Sequence, residues 1–189
     1  MVVHVTICVC TYCRLGMLER LLRELSSQAT AGLFTFSVVI TDNDAAQSAR
    51  AFVERFAGEV STKIIYTVQP EKNIALARNL AVAHAAGDFI AFIDDDEFPA
   101  PDWLLNLFRA CESKPIAGVL GPVKPHFEAK PPAWLIKGGF FQRPSHPTGF
   151  IMPWHECRTG NVLFRQSILD AAEPPFRPEF HTPSSASIW

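Results

Sequence analysis

The segment Gly87–Leu104, GDFIAFIDDDEFPAPDWL, changes abruptly from apolar to acidic. Its apolar run Phe89–Ile93 is typical of a strand that is covered on both faces of a sheet. Four consecutive carboxylates, Asp94–Glu97, follow that run directly. Because adjacent like charges repel one another, a cation or hydrogen bonds must offset the repulsion in the folded chain. The segment therefore predicts a strand that delivers an acidic cluster to one edge of a sheet.

Strand and helix patterns alternate on both sides of this segment. Leucines spaced i, i+3, i+4 and i+7 over Leu18–Leu25 predict one helix, and the Ala-rich stretch Asn73–Ala86 predicts another. The predicted strands are Val2–Cys10, Phe36–Ile40, Lys63–Val68, Phe89–Ile93 and Ala117–Leu120. This alternation predicts an α/β fold with a mostly parallel sheet flanked by helices. The C-terminal ends of such strands meet at one edge, where open α/β sheets bind ligands.

A change of composition near residue 120 divides the chain into two regions, 1–120 and 121–189. Twelve of the fifteen prolines lie in the second region or just before it. We predict an irregular, loop-rich stretch over Pro122–Trp154 at the sheet edge. A strand over Arg158–Arg165 and a short helix over Gln166–Ala172 are predicted to follow.

The composition excludes several classes of protein. The 189-residue chain has a formal charge of −2 and no Lys/Arg-rich tract, so no nucleic-acid partner is expected. Its apolar runs are far too short to span a bilayer, and its N-terminus lacks a signal-peptide pattern, which predicts a cytoplasmic protein. Five irregularly spaced cysteines do not suit a disulfide framework. We expect them to be small buried hydrophobic side chains rather than zinc ligands.

Candidate binding residues lie at three strand ends and on one helix. Carboxylate oxygens at Asp94–Asp96 suit Mg²⁺ or Mn²⁺, and a solvated acidic loop is the alternative. Asp42, after the second strand, can accept a hydrogen bond from a base or ribose, or the same turn can cap a helix. Thr11 and Arg14 can contact a nucleotide, but no Gly-rich phosphate-binding loop surrounds them. Arg78 can reach a diphosphate or be an ordinary surface arginine.

Five motifs in register carry a resemblance to a known family. They are ICVCTYCR at Ile7–Arg14, VVITDND at Val38–Asp44, NIALARN at Asn73–Asn79, GDFIAFIDDDEFPAPDWL at Gly87–Leu104 and TGNVLFRQSIL at Thr159–Leu169. In this order they resemble the family 2 glycosyltransferases of the GT-A fold, over about residues 3–170. VVITDNDAAQSAR, FIDDDE and VLGPV are most similar to exopolysaccharide glucosyltransferases of the succinoglycan type.

The resemblance implies how a nucleotide would be held. Thr11, Arg14 and Asp42 would contact the nucleobase and ribose, which are expected to belong to UDP. Arg78 would lie near the diphosphate. The nucleotide half of the donor would therefore occupy the first region of the chain.

The resemblance also implies roles around the donor sugar and a metal ion. Asp94 and Asp95 of the D-x-D motif would contact the ribose and the donor sugar. Asp96 would ligate Mn²⁺ or Mg²⁺ as the cofactor bridging the two phosphates. Asn161 would sit beside the donor sugar or the acceptor.

The implied reaction is transfer of a hexose, expected to be glucose, from a UDP-sugar to a saccharide acceptor with inversion of the anomeric carbon. Exopolysaccharide biosynthesis is the implied process. A lipid-linked acceptor at the inner face of the cell membrane would require only peripheral membrane association.

One departure from the family concerns the catalytic base. The family carries a G-E-D segment with the general base soon after the position of residue 180, whereas this sequence reads PEFHTPSSASIW. We therefore assign no catalytic residue and treat 121–189 as a partial, truncated acceptor-side region. Glu179 and His181 lie nearest to the expected base, and the tail from His181 is expected to be poorly ordered. Donor binding with slow or absent transfer is the expected activity.

Three alternatives stay open at this point. One is a catalytically inactive fragment that binds a nucleotide sugar. The second is a nucleotidyltransferase, which shares the α/β plan but begins with a Gly-rich loop that Thr11–Gly16 does not supply. The third is an unstable fragment with no function, which aggregation on expression would favour.

Overall fold

The computed structural model describes residues 2–112, 114–141 and 143–180, apart from the side chains of Trp154 and Phe180. The strands are β1 (Val3–Thr11), β2 (Phe34–Asp42), β3 (Lys63–Val68), β4 (Phe89–Phe92), β5 (Gly118–Leu120) and β6 (Val162–Arg165). The α-helices are α1 (Leu15–Ser26), α2 (Arg50–Glu59), α3 (Ile74–His84), α4 (Trp103–Glu112), α5 (Ala133–Gly138) and α6 (Gln166–Asp170). The predicted disorder from His181 onward lies outside the described residues.

These strands form one six-stranded sheet in the order β3-β2-β1-β4-β6-β5. The pairs β1–β2, β2–β3 and β1–β4 are all parallel, because a helix carries the chain back between successive strands. β6 runs antiparallel to both β4 and β5. The predicted α/β class is confirmed, and the sheet is mixed. Its antiparallel part arises because β6 enters from the Pro-rich region and inserts between β4 and β5.

Element boundaries differ from the predicted ones where local geometry intervenes. β6 begins at Val162 rather than at Arg158, because Asn161 takes a left-handed φ of 52° just before it. α3 begins after Asn73, whose side-chain oxygen accepts hydrogen bonds from the Ala75 and Leu76 amides and so caps the helix. The loop-rich stretch contains one short helix, α5, that the sequence pattern did not indicate.

Apolar packing covers both faces of the sheet. On one face, leucines of α1 and the Phe108 ring of α4 are buried, and Phe108 lies 4.6 Å from the Phe34 ring and 5.6 Å from the Phe89 ring. On the other face, Ala81 of α3 packs with Ile90 and neighbouring side chains of the sheet. Each fully buried large apolar side chain contributes about 1.5–3 kcal/mol relative to exposure. This packing fixes where the strand ends meet.

The prediction of buried cysteines is correct for Cys8 and Cys111 and wrong for Cys13 and Cys157. Cys8 and Cys111 are buried, Cys10 is half-buried, and Cys13 and Cys157 are exposed; all five are free thiols. Within the described ranges, no helix has the length and apolarity needed to cross a membrane.

Candidate functional site

The ends of β1 and β4 bring Thr11 and Asp95 together, because the two strands pair in parallel. Thr11 Oγ1 donates a hydrogen bond of 2.8 Å to Asp95 Oδ2. Arg14, the residue before α1, donates from Nη1 to Asp95 Oδ1 and to Asp96 Oδ2, each at 3.2 Å. One guanidinium therefore holds two neighbouring carboxylates. We call Asp94–Glu97 the carboxylate cluster.

Asp95 is the buried member of the carboxylate cluster, at 5% exposure. Burial raises the pKa of Asp95, and the hydrogen bond from Thr11 and the charge of Arg14 oppose that rise. Because both of its side-chain oxygens are engaged within the protein, by Thr11 and Arg14, Asp95 fixes the shape of the turn and leaves its neighbours to face solvent.

Asp94 and Glu97 form the side of the carboxylate cluster that faces α3 and β6. Arg78 Nη2 lies 3.6 Å from Asp94 Oδ1, and the Asp94 side chain is half exposed. The Asp94 backbone amide donates to Glu97 Oε2 at 3.2 Å. Burial and the charge of Asp94 raise the pKa of Glu97 to about 7. Burial likewise raises the pKa of Asp94, and Arg78 opposes the rise. A cation placed here would relieve the repulsion among these groups.

Gly160, in the loop that leads into β6, lies directly against the carboxylate cluster. A Cβ at this position would lie 2.8 Å from Asp94 Oδ2 and 3.2 Å from Glu97 Oε1. A side chain at this position would therefore displace the Asp94 carboxylate from its present place. Gly160 belongs to the motif TGNVLFRQSIL, but nothing in that residue pattern indicates this close approach.

Asp42 lies at the end of β2 but beneath the protein surface. Its Oδ1 accepts from the Asp44 amide at 3.0 Å, and its Oδ2 accepts from the Ala49 amide at 3.0 Å and from the Tyr66 hydroxyl at 2.7 Å. Asp42 has no exposed surface. In this structure its carboxylate thus holds the turn between β2 and α2.

Asn161 is also engaged within the protein. Its Oδ1 accepts from Trp103 Nε1 at 2.7 Å, and its Nδ2 donates to the Pro122 carbonyl at 2.9 Å. These bonds tie the start of β6 to α4 and to the chain after β5. Asp42 and Asn161 therefore stand just outside the group that the other predicted binding residues form. The members of that group are Thr11, Arg14, Arg78, Asp94, Asp95 and Asp96.

Asp96 is open to a cation. Its side chain is 43% exposed, and Arg14 contacts one of its oxygens. In the part of the chain that the structure describes, no three His, Cys, Asp or Glu side chains gather closely enough to enclose a metal ion. Mg²⁺ commonly binds one or two protein carboxylates and completes its shell with water and substrate phosphates. The oxygen donors present therefore fit an ion shared with a phosphate-bearing ligand rather than a closed protein site.

Comparison with known proteins decides the family. The sequence profile of Glycosyl transferase family 2 matches residues 6–171. The chain belongs to glycosyl transferase family 2. This family member is 39% identical over 166 residues to the succinoglycan biosynthesis protein ExoM of Rhizobium meliloti (strain 1021). The match covers 86% of the chain and 52% of ExoM, so the chain spans about half the length of that relative.

Solved structures share the fold of this family 2 member. Superposition on S. aureus TarS 1-349 in complex with UDP gives a TM-score of 0.71 at 17% identity, covering 95% of this chain and 52% of TarS 1-349. Superposition on the mannosyltransferase PcManGT from Pyrobaculum calidifontis, in complex with GDP-Man and Mn²⁺, gives a TM-score of 0.56 at 25% identity. It covers 64% of this chain and 35% of PcManGT. The predicted GT-A resemblance is confirmed at the level of the fold.

Proposed function

We propose that this family 2 glycosyltransferase binds a UDP-sugar through a divalent cation at the carboxylate cluster and transfers a hexose, expected to be glucose, to a saccharide acceptor with inversion. The observation that carries the proposal is the convergence of Thr11 and Arg14 on Asp95 and Asp96 at the C-terminal edge of the parallel strands. Similarity to ExoM favours exopolysaccharide biosynthesis as the process. Likeness to TarS 1-349 in complex with UDP favours a uridine nucleotide.

Asp94, Asp96 and the two arginines that contact the carboxylate cluster have separate roles in this proposal. Asp96 ligates Mn²⁺ or Mg²⁺, and Arg14 orients Asp96 against Asp95. Arg78 approaches the diphosphate from α3, and Asp94 faces the donor sugar. The bound ion supplies neutralisation of the charge that develops on the departing nucleotide diphosphate.

Asp42 and Asn161 border the proposed donor site. Asp42 stands on the nucleobase side, beneath the turn that follows β2. Asn161 stands next to Gly160, on the side where donor sugar and acceptor would meet. Both are proposed to shape the site from positions that are already hydrogen-bonded.

The acceptor side is proposed to involve region 121–189 and a lipid-linked saccharide at the cytoplasmic face of the membrane. Trp134 and Phe140 are exposed, and their rings lie 6.3 Å apart. Lys130 precedes Trp134 in sequence, and Lys137 lies between Trp134 and Phe140. Exposed aromatic rings beside basic side chains favour peripheral contact with an anionic bilayer. Flotation with anionic vesicles tests this contact: Trp134→Ala with Phe140→Ala should release the protein, and equal flotation of wild type and variant contradicts it.

The function is tested by donor binding and transfer with radiolabelled UDP-glucose, Mn²⁺ and a lipid-linked saccharide acceptor. Mn²⁺-dependent binding with transfer of label supports the full proposal. Binding without transfer identifies the catalytically inactive nucleotide-sugar binder instead. Failure to bind any UDP-sugar contradicts the proposal. Transfer that disappears in Glu179→Gln would assign the general base to Glu179, since such a base contributes about 10²–10⁴-fold.

A further inference from the structure

A cavity of about 240 Å³ lies outside the carboxylate cluster, between Arg143 and the segment that leads into β6. Arg143, Glu156 and Arg158 supply charged side chains to its lining. Sites that enclose an entire drug-sized ligand usually occupy about 300–1,000 Å³. The smaller volume suits one charged group of a ligand whose remainder lies outside.

Carboxylates of the described residues lie near the two arginines of this cavity but do not form direct ion pairs with them. Within the described residues, neither Arg143 nor Arg158 forms an ion pair. Arg158 Nη2 donates to the Gly121 carbonyl at 3.2 Å, but its Nε is buried without a hydrogen-bond partner in the described part of the chain. A buried charged donor left unpaired is costly. Because this Nε has no accessible surface, an oxyanion in the cavity would interact with the rest of Arg158, which lines it.

The one carboxylate in the lining is Glu156, and imidazoles already surround it. His146 Nε2 lies 2.9 Å from Glu156 Oε2, and His155 Nε2 lies 3.9 Å from Glu156 Oε1. Glu156 is therefore positioned to pair with histidines rather than to neutralise both guanidiniums. The cavity keeps a positive balance.

The cavity also has a defined position relative to the carboxylate cluster. In the sheet order, β1 supplies Thr11 on one side of β4, with Arg14 in the turn that follows β1, and β6 lies on the other side. Arg158 is two residues before Gly160, whose backbone abuts Asp94 and Glu97. Arg158 is also close enough for its charge to act on Glu97. The cavity thus lies on the β6 side, opposite the proposed nucleotide-binding residues.

We infer that the cavity between Arg143 and Arg158 binds an oxyanion of the acceptor, a phosphate or a carboxylate, and so orients the acceptor beside the donor sugar. Guanidinium forks match the geometry of both anions. Assignment of the anion to the acceptor rests on the proposed function. The cationic cavity itself follows from the side chains alone.

The test uses protein saturated with UDP and Mg²⁺, so that the donor site is filled. Inorganic phosphate and glucuronate are titrated separately at constant ionic strength, and binding is followed by calorimetry and by the ¹⁵N–¹H signal of the Arg158 Nε–H. At least one anion should bind and shift that signal. Arg143→Gln and Arg158→Gln should each weaken binding roughly tenfold, since each removes a charge-assisted hydrogen bond. Arg55→Gln, on the exposed face of α2, is the matched control and should bind as wild type does.

The two anions distinguish the sources of the ligand. Binding of phosphate alone indicates a phosphate-linked carrier, and binding of glucuronate alone indicates an acidic saccharide. Because Arg143 is exposed and unpaired, Arg143→Gln keeps the test valid if Arg158→Gln fails to fold. The inference is overturned if neither anion binds, if both arginine variants bind as wild type does, or if the anion competes with UDP. Failure of the proposed function appears separately, as absence of UDP binding, and would remove the acceptor assignment.

Discussion

The hydroxyl of Thr11 donates a 2.8 Å hydrogen bond to Oδ2 of Asp95, across 84 positions of sequence. Both residues are buried, so the contact ties the end of β1 to the end of β4 away from solvent. The acidic turn is therefore held in shape by the protein, and the exposed Asp94 and Asp96 side chains flank a fixed centre. A site that is ordered before binding loses less entropy when its ligand arrives.

Substitution of Gly160 tests the close approach of the β6 loop to the cluster. The new methyl of Gly160→Ala would lie 2.8 Å from Asp94 Oδ2 and must displace that carboxylate. We expect cation-dependent UDP affinity, measured by calorimetry, to fall at least roughly tenfold, since small displacements of positioning groups are costly. Gly58→Ala, in open space on α2, should keep wild-type affinity and gain about 0.5–1 kcal/mol of stability. Equal UDP affinity in the two variants would contradict the role given to Gly160.

Removal of Arg14 should make the stability of the protein depend more strongly on a metal ion at the carboxylate cluster. Arg14→Gln leaves Asp95 and Asp96 without their shared cation. Mn²⁺ at millimolar concentration, without nucleotide, should then raise the melting temperature by about 2–4 °C more than in wild type, corresponding to about 1 kcal/mol. Arg55→Gln on α2 is the control. Identical Mn²⁺ shifts in wild type and Arg14→Gln would show that Arg14 does not compete with a cation for these carboxylates.

Asp42→Asn separates a structural role from a nucleobase contact. An amide presents N–H donors where Asp42 Oδ1 or Oδ2 now accepts from the Asp44 and Ala49 amides. Urea unfolding should show a loss of about 1–3 kcal/mol. A direct contact with the base additionally predicts weaker UDP binding in EDTA, at a temperature where the variant is fully folded. Reduced stability with unchanged affinity would leave Asp42 as a purely structural residue.

His4 should give stability a pH dependence that is independent of the carboxylate cluster. Burial and the nearby charge of Lys63 lower the pKa of His4, and Asp88 opposes them. Because the folded pKa is below the unfolded value of 6.5, the contribution of His4 is present above about pH 6.5 and is lost as pH falls through the folded pKa. His4→Gln should therefore lose less stability than wild type between pH 7.5 and 5.5 in urea unfolding. His84→Gln, at an exposed position, is the control and should lose stability as wild type does. If His4→Gln also loses as much stability as wild type between pH 7.5 and 5.5, the predicted contribution of His4 is contradicted.

Much of the fold could be predicted because it depends on local periodicity. The bounds of β3 match the sequence pattern, and β1, β2 and β4 differ from it by only a few residues. The place of β6 could not be predicted in this way, since strand order is decided by packing between distant segments. Nothing in Val162–Arg165 indicates that it separates β4 from β5 or runs antiparallel to both.

The candidate site shows the same division between local and tertiary information. Strand ends predicted that Thr11, Arg14 and the carboxylates would meet, because parallel strands bring their C-terminal ends to one edge. The internal hydrogen bonds of Asp42 and Asn161 depend on partners far along the chain, such as Tyr66 and Trp103. Side-chain partners of this kind cannot be deduced from residue type and spacing.

The central claim, that a divalent cation at Asp96 couples this chain to a uridine nucleotide, is tested most directly by calorimetry of UDP binding. Wild type and Asp96→Asn are each titrated in Mn²⁺ and in EDTA, with Glu54→Gln on the exposed face of α2 as the carboxylate-to-amide control. We predict that Mn²⁺ strengthens UDP binding in wild type and Glu54→Gln, and that Asp96→Asn abolishes this difference. Equal UDP affinity of the wild type with and without Mn²⁺ would contradict the claim.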